Sequence, residues 1–346
     1  MGWYAARASP VRYAESLNEN LSLFGAEEWD LKRQLAARLN ELAGVQLYVG
    51  TSSWKYEGWL GSVYQPERYS SRGRFSKARF ERDCLTEYAE VFHTVSGDFA
   101  FYQFPSTSVW NRLFAQVPAG FRFAFKAPEE ITTPAFPRYP RYGSRAGQPN
   151  PSFLDPKALT GQFLAPLQPY ATAIAVIIFE FPSALAITFE DNGHLSDALG
   201  QFFDKLPNVF RYAVEVRSRC VLGVDYFRTL RNCGIAHVFN SWTEMPAIAE
   251  QMAEPDAFTT NFSVSRALMT PGRTYEQTVS RFAPYGSVKE PNLEVRDALR
   301  RLLVRSKQRG EPTFIYINNR LEGFAPGTIA AVIDEFPIEP ATDGYS

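Results

Sequence analysis

Histidine and cysteine are scarce in this chain of 346 residues, which has three of each. The cysteines lack both the close spacing of zinc ligands and the even number of a secreted disulfide framework, so reduced thiols are expected. The histidines are too few and too scattered for the metal centres of barrel isomerases and endonucleases. No cofactor is therefore indicated. A carboxylate-only Mg²⁺ site formed by Asp98, Glu180 and Glu215 is the one metal arrangement that stays open.

The sequence also lacks long hydrophobic runs and an excess of charge of either sign. The longest apolar run, around residues 171–181, is too short to span a bilayer and contains Glu180. The first twenty residues carry several charges and lack the apolar segment of a signal peptide. A net charge of −1 disfavours nucleic acid and anionic membranes as partners. We therefore predict a cytoplasmic protein with a small-molecule ligand and leave its oligomeric state open.

From Val45 onward, short apolar strands alternate with segments of helical periodicity. The predicted strands are 46–51, 91–96, 121–126, 174–180, 211–217, 235–239, 258–264 and 313–318. The predicted helices are 79–90, 106–116, 158–170, 195–205, 223–233, 244–253, 274–283, 291–309 and 325–335. Eight strands, each followed by a helix, are typical of a barrel, whereas an open doubly wound sheet usually has fewer. We predict an α/β fold, a TIM-like (β/α)8 barrel with an N-terminal helical extension.

Two segments stand apart from this alternation. Residues 1–44 form a predicted extension whose leucines have helical spacing between a cap at Asp30 and a stop at Gly44. This helix packs on the barrel or, alternatively, forms an oligomer contact. Residues 45–346 form one predicted barrel domain. Its long proline-rich stretch, 129–156, is predicted to lie over the C-terminal face, either as a ligand-holding lid or as a stiff surface loop.

A charged strand organises the candidate site. Strand alternation puts Glu215 and Arg217 on the face opposite Val214 and Val216. If helices cover the valines, both charges point into the barrel, where they are costly unless paired. Polar residues also end the other strands, which is where barrel enzymes carry their active sites. The candidates are Ser52, Trp54, Asp98, Tyr102, Lys126, Glu180, Glu215, Arg217, Asn318 and Asn319, with Asn240 after strand six and Arg266 after strand seven.

Four of these residues are assigned to catalysis. Glu215 is the first choice for a general acid or base, with Glu180 and Asp98 as further acids. Lys126 is an electrostatic clamp or a nucleophile that forms a Schiff base. The remaining candidates are assigned to ligand binding: Arg217, Arg266, Asn318, Asn319, Asn240, Ser52, Trp54 and Tyr102. The alternative is a buried ion network that only fills the barrel.

Six short motifs occur in order between residues 46 and 336. They are Tyr48-Val-Gly-Thr-Ser-Ser-Trp54, Phe101-Tyr102, Phe121-Arg-Phe-Ala-Phe-Lys126-Ala-Pro128, Phe181-Pro182, Ala213-Val-Glu215-Val-Arg217 and Asn318-Asn319-Arg320 with Glu322-Gly323. Together they resemble the YecE-like family, domain of unknown function 72. The resemblance implies a TIM-like barrel. It implies no activity, because none is established for the family.

The chain departs from this family pattern at several positions. Ser96 replaces a usual glutamate and Asp98 appears two positions later, while Thr133 replaces a frequent histidine. Glu180 replaces a frequent glutamine, and Asn240 replaces a common acidic residue. The resemblance therefore implies either a divergent or inactive member, or one in which Asp98 and Glu180 supply the acids.

Three functional hypotheses follow. The first is an uncharacterised YecE-like barrel, a hydrolase or isomerase, that binds and processes a small polar ligand by acid–base chemistry. An anionic or phosphorylated ligand is motivated by Arg266, Arg273 and the helix start within 318–328, and a carbohydrate-like one by the aromatic strand ends. The second is a non-catalytic, regulatory ligand-binding barrel. The third, motivated by the basic residues of 129–156, is a nucleic-acid-processing barrel.

Overall fold

Eight parallel strands close into a barrel in the computed structural model, which describes residues 25–189, 191–334 and 336. The strands are β1 Leu47–Thr51, β2 Thr94–Gly97, β3 Arg122–Lys126, β4 Ile174–Phe181, β5 Tyr212–Val216, β6 Ala236–Asn240, β7 Ser263–Ala267 and β8 Thr313–Ile317. Each strand pairs with the next in the chain, and β8 pairs with β1 from Leu47–Thr313 to Thr51–Ile317. The predicted TIM-like (β/α)8 barrel is confirmed.

Helices cover the outside of this barrel. The longer ones are α1 Gly25–Gly44, α2 Lys77–Tyr88, α3 Thr107–Phe114, α4 156–167, α5 Asn192–Phe203, α6 Val224–Cys233, α7 Ile248–Ala253, α8 Tyr275–Phe282, α9 Leu293–Arg309 and α10 Ala325–Ile333, and two single-turn helices, Glu129–Thr132 and Asn319–Glu322, follow β3 and β8. Across the described ranges, no helix combines the length and the apolar character that crossing a bilayer requires. The outward strand side chains pack beneath these helices in one continuous hydrophobic core.

The inside of the barrel is apolar in its lower part and charged at its C-terminal end. Val176 and Ile178 of β4 pack inside with Val264 of β7 and Phe314 of β8. Because side chains alternate along a strand, the next inward position of β4 belongs to Glu180. The same two-residue step leads from Val264 to Arg266 in β7. The two-residue period of the strands therefore places charged groups at the C-terminal mouth of the barrel.

Strand β7 begins at Ser263, so the predicted range 258–264 was wrong by several residues. The hydroxyl of Thr259 donates to the Ile235 carbonyl, and that of Thr260 donates to the Phe262 carbonyl. The Thr260 bond is local and favours a bend before the strand, whereas the Thr259 bond ties the same segment to the residue before β6. As a consequence, Arg266 lies within β7 rather than after it. Asn240 likewise ends β6 instead of following it.

Helix α1 begins at Gly25, so Asp30 lies inside the helix and the predicted cap was wrong. The Asp30 carboxylate accepts one hydrogen bond from the side-chain amide of Gln34, one turn later, at 2.5 Å. Leu35 and Leu39 are buried against the barrel, as the predicted packing of this helix requires. The rest of the predicted extension, residues 1–24, lies outside the described residues.

Candidate functional site

Six charged side chains meet inside the C-terminal mouth of the barrel. They come from β3, β4, β5 and β7 and from the segments that follow β2 and β5: Asp98, Lys126, Glu180, Glu215, Arg217 and Arg266. We call this set the ion cluster. It contains three cations and three carboxylates, so its formal charge is zero when all six groups are ionised. These residues are far apart in sequence, and closure of the barrel brings them together.

Two arginines hold the two glutamates of the cluster. Glu180 and Glu215 are directly opposite each other on β4 and β5, where two carboxylates repel. Arg266 Nη1 lies 2.9 Å from Glu180 Oε2 and 2.6 Å from Glu215 Oε2. Arg217 Nη2 lies 2.6 Å from Glu180 Oε2 and 2.8 Å from Glu215 Oε1. The guanidinium groups thus bridge the pair and offset the repulsion.

Lys126 and Asp98 complete the cluster on its open side. Lys126 Nζ lies 3.0 Å from Glu180 Oε2 and 3.8 Å from Asp98 Oδ1. Arg266 Nη2 lies 3.6 Å from the same Asp98 oxygen. These two distances exceed hydrogen-bond length, and Asp98 Oδ1 accepts no hydrogen bond within the described part of the chain. Asp98 is therefore the least restrained carboxylate of the cluster.

Burial decreases from the floor of the cluster to its mouth. The Glu215 side chain is 0% exposed and that of Arg266 is 2% exposed. Glu180 and Arg217 are 13% and 11% exposed, and Asp98 is 39% exposed. Glu215 therefore lies behind the other charges with both carboxylate oxygens engaged. A ligand entering the mouth would contact Asp98, Glu180 and Arg217 first.

The surroundings of Glu180 keep it ionised. Burial alone raises the pKa of this carboxyl, but nearby Arg217, Lys126 and Arg266 outweigh burial and hold the pKa well below its usual value. Burial lowers the pKa of Arg266, whereas Glu215, Asp98 and Glu180 raise it above its usual range. Glu180 is thus a hydrogen-bond acceptor at neutral pH and not a proton donor.

Aromatic rings surround the ion cluster at the mouth. Lys126 Nζ lies 4.0 Å from the centre of the Phe101 ring, and the Arg217 guanidinium lies 3.7 Å from that of Trp242. Such cation–ring contacts stabilise charges that have lost water. Tyr102 is 51% exposed beside Phe101, so its ring faces solvent at the rim. The predicted ligand residue Tyr102 therefore has an accessible face.

Comparison with known proteins settles the family of this chain. The family described as "Protein of unknown function DUF72" matches residues 48–343. The chain belongs to the DUF72 family. It is 28% identical over 171 residues to the UPF0759 protein YecE of Escherichia coli, an alignment that covers 49% of this chain and 48% of YecE. The chain thus spans about half the length of the curated relatives it matches.

Solved DUF72 structures share the fold. A DUF72 family protein from Thermotoga maritima superposes with a TM-score of 0.56 at 20% identity, covering 84% of this chain and 98% of that one. A DUF72 family protein from Enterococcus faecalis gives a TM-score of 0.57 at 14% identity, covering 84% of this chain and 96% of that one. At these identities the likeness establishes the barrel and nothing about a ligand.

The predicted loop 129–156 of this DUF72 barrel is ordered by its own side chains. Arg141 pairs with Glu129 at 3.0 Å, and Arg145 pairs with Glu130 at 3.1 Å. The Asn150 amide donates to the backbone carbonyls of residues 130 and 133. The Arg141 guanidinium also lies 5.0 Å from the centre of the Tyr102 ring. The loop therefore lies beside the mouth, with these two arginines engaged in internal ion pairs.

Four predicted ligand residues have other roles or positions. The three asparagines accept hydrogen bonds from nearby backbone amides, and Trp54 lies away from the ion cluster. Asn240 Oδ1 accepts from the Trp242 amide, and Asn318 Oδ1 accepts from the Arg320 amide. Asn319 Oδ1 accepts from the Ala325 amide, although its Nδ2 has no partner among the described residues. Trp54 is buried against Phe99, beside a cavity outside the mouth. Ser52, the remaining candidate, is buried with a hydroxyl that has no partner in the described ranges.

Further residues of the mouth were not assigned to the site from the sequence. Tyr275 and Arg320 are hydrogen-bonded, and the Arg320 guanidinium lies 4.7 Å from the centre of the Tyr275 ring. Tyr56 packs on Tyr285 with ring centres 5.6 Å apart. Burial raises the pKa of Tyr56 well above its usual value, and Asp98 adds to that shift. Arg320 stands within a family motif, whereas Tyr275 begins α8 and Tyr285 lies in the loop after it, and neither position carries a recognisable sequence signal.

The carboxylates of the mouth do not fit Mg²⁺. Asp98, Glu180 and Glu215 face the ammonium and guanidinium groups of the ion cluster, which occupy the side where a metal would bind. Within the described ranges, no three His, Cys, Asp or Glu residues are arranged to hold a metal ion. His237 lies on the covered face of β6, where it contacts Tyr226 and Gln251.

The charge of Glu180 makes a testable contribution to acid stability. Its pKa is lower in the folded than in the unfolded chain, so its ionised form stabilises the fold at neutral pH. This contribution is lost as the pH falls from the ordinary glutamate value of 4.5 through the folded pKa. Glu180→Gln is therefore expected to be less stable than the native chain at pH 7. This difference in the free energy of unfolding should narrow by about 1.4 kcal/mol per pH unit below the ordinary glutamate pKa.

Urea unfolding followed by circular dichroism, at several pH values from neutral to acidic, measures this gap. Glu67→Gln, at an exposed position outside the cluster, is the control and should show a small gap at every pH. A gap for Glu180→Gln that stays constant on acidification would contradict the proposed ionisation of Glu180.

Proposed function

We propose that the C-terminal mouth of the barrel binds a small, hydroxyl-rich, carbohydrate-like ligand. The observation that carries this proposal is the ion cluster itself, in which acceptors and donors alternate within ion-pair distance of one another. Glu180 and Asp98 offer acceptor oxygens, whereas Lys126 and Arg217 offer donors, and these groups lie nearest to solvent. A sugar hydroxyl both donates and accepts, so neighbouring hydroxyls match such an alternating surface.

The charge balance of the mouth favours a polar ligand over a strongly anionic one. The ion cluster is neutral overall, and Arg273, which suggested a phosphate site in the sequence, pairs with Glu290 at 2.5 Å. At the helix start of 318–328, the Arg320 and Ala325 amides already donate to Asn318 and Asn319. The groups from which a phosphate site was inferred are therefore engaged within the protein. A phosphorylated sugar remains a useful comparison because Arg320 lies at the rim.

The aromatic rim supports the same class of ligand. Sugar rings present apolar C–H faces together with hydroxyl edges, and ligand sites commonly combine aromatic surfaces with a few placed polar groups. Tyr102 is exposed at the rim, and Phe101 and Trp242 lie against the cations below it. A ligand could stack on Tyr102 while its hydroxyls reach Glu180 and Asp98.

Replacing Tyr102 with alanine is expected to weaken ligand binding without unfolding the chain, because this side chain is half exposed. Loss of a stacking contact of about 1 kcal/mol corresponds to an increase in Kd of roughly fivefold. Saturation-transfer NMR and calorimetry would use a panel of neutral monosaccharides, sugar phosphates, uronic acids and inorganic phosphate. Phe75→Ala removes another exposed ring, which packs on Phe80, and serves as the control.

Two results would count against this proposal. One is that no member of the panel binds the native chain. The other is that Tyr102→Ala and Phe75→Ala affect binding equally. Binding of inorganic phosphate and sugar phosphates without any binding of neutral sugars would favour the anionic ligand instead.

We also propose a second function, acid–base turnover of the same ligand, with Asp98 rather than Glu215 as the proton-transfer group. Both oxygens of Glu215 are held by arginines, whereas the Asp98 side chain is 39% exposed and its Oδ1 accepts no hydrogen bond from any described residue. General acid–base catalysis contributes about 10²- to 10⁴-fold to rate. For any bound sugar that is turned over, Asp98→Asn is expected to reduce kcat at least 100-fold, a loss in the range of that contribution, while binding changes little.

NMR detection of product over time measures this loss. Asp256→Asn changes an aspartate of similar exposure, 44%, which pairs with Arg231, and should leave kcat unchanged. Unchanged turnover in Asp98→Asn would rule out the assignment. Binding without any turnover in the native chain would support the purely ligand-binding function.

A further inference from the structure

A cavity lies outside the barrel mouth, between α2 and α3. It has a volume of about 590 Å³ and is bounded by these two helices and by the segments that follow β1 and β2. Its floor is apolar and includes the buried Leu85 and Leu113, the half-buried Phe99 and one side of Trp54. This volume lies within the usual range of small-molecule sites. We call this cavity the helix groove.

Cationic side chains surround the opening of the helix groove. Lys55, Arg82 and Arg112 line it, against Glu81 and Asp98. Arg82 is neutralised by Asp83, with two contacts of 2.8 Å, and Glu81 lies 3.9 Å from Lys77. Asp98 belongs to the ion cluster of the mouth, where Lys126 and Arg266 lie near it. Most charges of the groove are therefore balanced by neighbours.

Lys55 and Arg112 are the exceptions. Among residues 25–189, 191–334 and 336, neither has a carboxylate within salt-bridge distance, and both are exposed. Lys55 Nζ lies 5.6 Å from the centre of the Trp54 ring, which belongs to the wall of the groove. Two unneutralised cations beside an apolar floor give the groove a positive edge and an apolar base. That combination is complementary to an anion with a hydrophobic body.

One more group of the groove lacks a partner. The side-chain oxygen of Gln116 is buried and accepts no hydrogen bond from any described residue, while its amide nitrogen donates to the Arg112 carbonyl. A buried acceptor without a donor costs free energy, so a ligand that supplies an N–H or O–H group there would gain affinity. The groove thus offers an apolar floor, two cations and one acceptor.

We propose that the helix groove binds a small amphiphilic anion, namely an aromatic or aliphatic body that carries one carboxylate, sulfonate or phosphate. The body covers Leu85, Leu113 and Phe99, and the anionic group lies beside Lys55 and Arg112, away from Asp98 and Glu81. This site is separate from the proposed sugar site, although Asp98 borders both. Its occupancy does not depend on whether the barrel mouth binds a sugar.

Two probes of nearly the same shape test the charge requirement. Anilinonaphthalene sulfonate has an aromatic body, an N–H group and one sulfonate, and N-phenylnaphthylamine is the uncharged counterpart. We expect the sulfonate to bind the folded native chain at one site, with fluorescence enhancement, and the neutral probe to bind at least tenfold more weakly. Lys55→Gln and Arg112→Gln are each expected to weaken sulfonate binding by about fivefold and to leave the neutral probe unchanged.

Matched variants distinguish the groove from general surface charge. Lys157→Gln and Arg219→Gln each remove one exposed cation elsewhere and should leave both probes unaffected. Ala78→Trp adds a large side chain at an exposed position that lines the groove and should weaken both probes at least tenfold. Circular dichroism confirms that each variant is folded, because the sulfonate also binds partly unfolded chains.

Several outcomes would overturn the proposal. They are the absence of saturable sulfonate binding, equal affinity of the two probes, and equal losses in the groove variants and the distant controls. Unchanged sulfonate binding in Ala78→Trp would place the probe elsewhere. Tyr102→Ala at the mouth should have no effect on either probe, so failure of one site is distinguishable from failure of the other.

Discussion

Replacing Arg266 with methionine is expected to lower the free energy of unfolding by about 3–5 kcal/mol. Arg266 is almost fully buried, and its Nη1 contacts both Glu180 and Glu215. Methionine replaces the aliphatic part of the arginine side chain but carries no charge, so two carboxylates on neighbouring strands would be left with one bridging arginine, Arg217. Urea unfolding at pH 7, followed by circular dichroism, measures the loss.

Two comparisons show whether this loss comes from the unpaired charge. Arg301→Met breaks the exposed pair with Asp297 and should change stability by less than about 1 kcal/mol. Adding Glu215→Leu to Arg266→Met restores equal numbers of cations and carboxylates and should recover part of the loss. A loss below about 1 kcal/mol in the single variant, or purely additive losses in the double variant, would contradict the bridging role.

Stability and ligand binding are expected to respond to different members of the ion cluster. Glu215 and Arg266 lie on its floor, so their replacement should act mainly through unfolding. Asp98 and the neighbouring Tyr102 face solvent, so their replacement should act mainly through ligand affinity or turnover. A purely structural ion network would show only the first kind of effect. The two sets of variants therefore separate a filled barrel from a binding site.

Strand alternation predicted the direction of the charges in β5 but not their partners. Glu215 and Arg217 point inward, and Val214 and Val216 lie beneath the helices, as the period of two requires. The partner Arg266 is 51 residues from Glu215, and no local pattern specifies that distance. The count of eight strands supplied the missing step, because a closed barrel brings the C-terminal ends of all strands together.

The sequence was less informative at positions where a polar side chain accepts a hydrogen bond from a nearby backbone amide. Asn240 and Asn318 stand at strand ends, as ligand residues of barrels do, yet their side-chain oxygens accept from backbone amides two residues later. Asparagine is common in such turns because its side chain mimics a backbone carbonyl. The same residue type at the same place fits both roles, so only the hydrogen-bond geometry distinguishes them.

The protonation state of the carboxylates could also be inferred only from the structure. A second carboxylate raises the pKa of its neighbour and an arginine lowers it, and the sequence placed both near β5. Around Glu180 three cations lie within 3.0 Å of one oxygen, and their combined effect on its pKa outweighs that of burial. These distances decide whether the pKa of Glu180 is raised or lowered, and they depend on side-chain positions that strand periodicity does not specify.

Loss of the buried charge of Glu322 is also expected to lower the free energy of unfolding strongly, although this residue lies outside the ion cluster. Its side chain is 0% exposed and pairs with Arg296 Nη2 at 2.6 Å. It also accepts from the Asn292 amide at 2.6 Å and from the Thr328 hydroxyl at 2.8 Å. One carboxylate thus joins the start of α9 to the first turns of α10.

Glu322→Met should therefore lower the free energy of unfolding by about 3–5 kcal/mol, because Arg296 loses its buried counter-ion and two donors lose their acceptor. Glu322→Gln keeps the shape and one acceptor and should cost less than Glu322→Met. Glu294→Met, at an exposed position of α9, should change stability by less than about 0.5 kcal/mol. Since Glu322 contacts no member of the ion cluster, binding of a sugar to the folded variant at low temperature should match the native chain. A loss of binding with retained stability would instead place Glu322, and with it the Asn318–Gly323 motif of the family, in the ligand site.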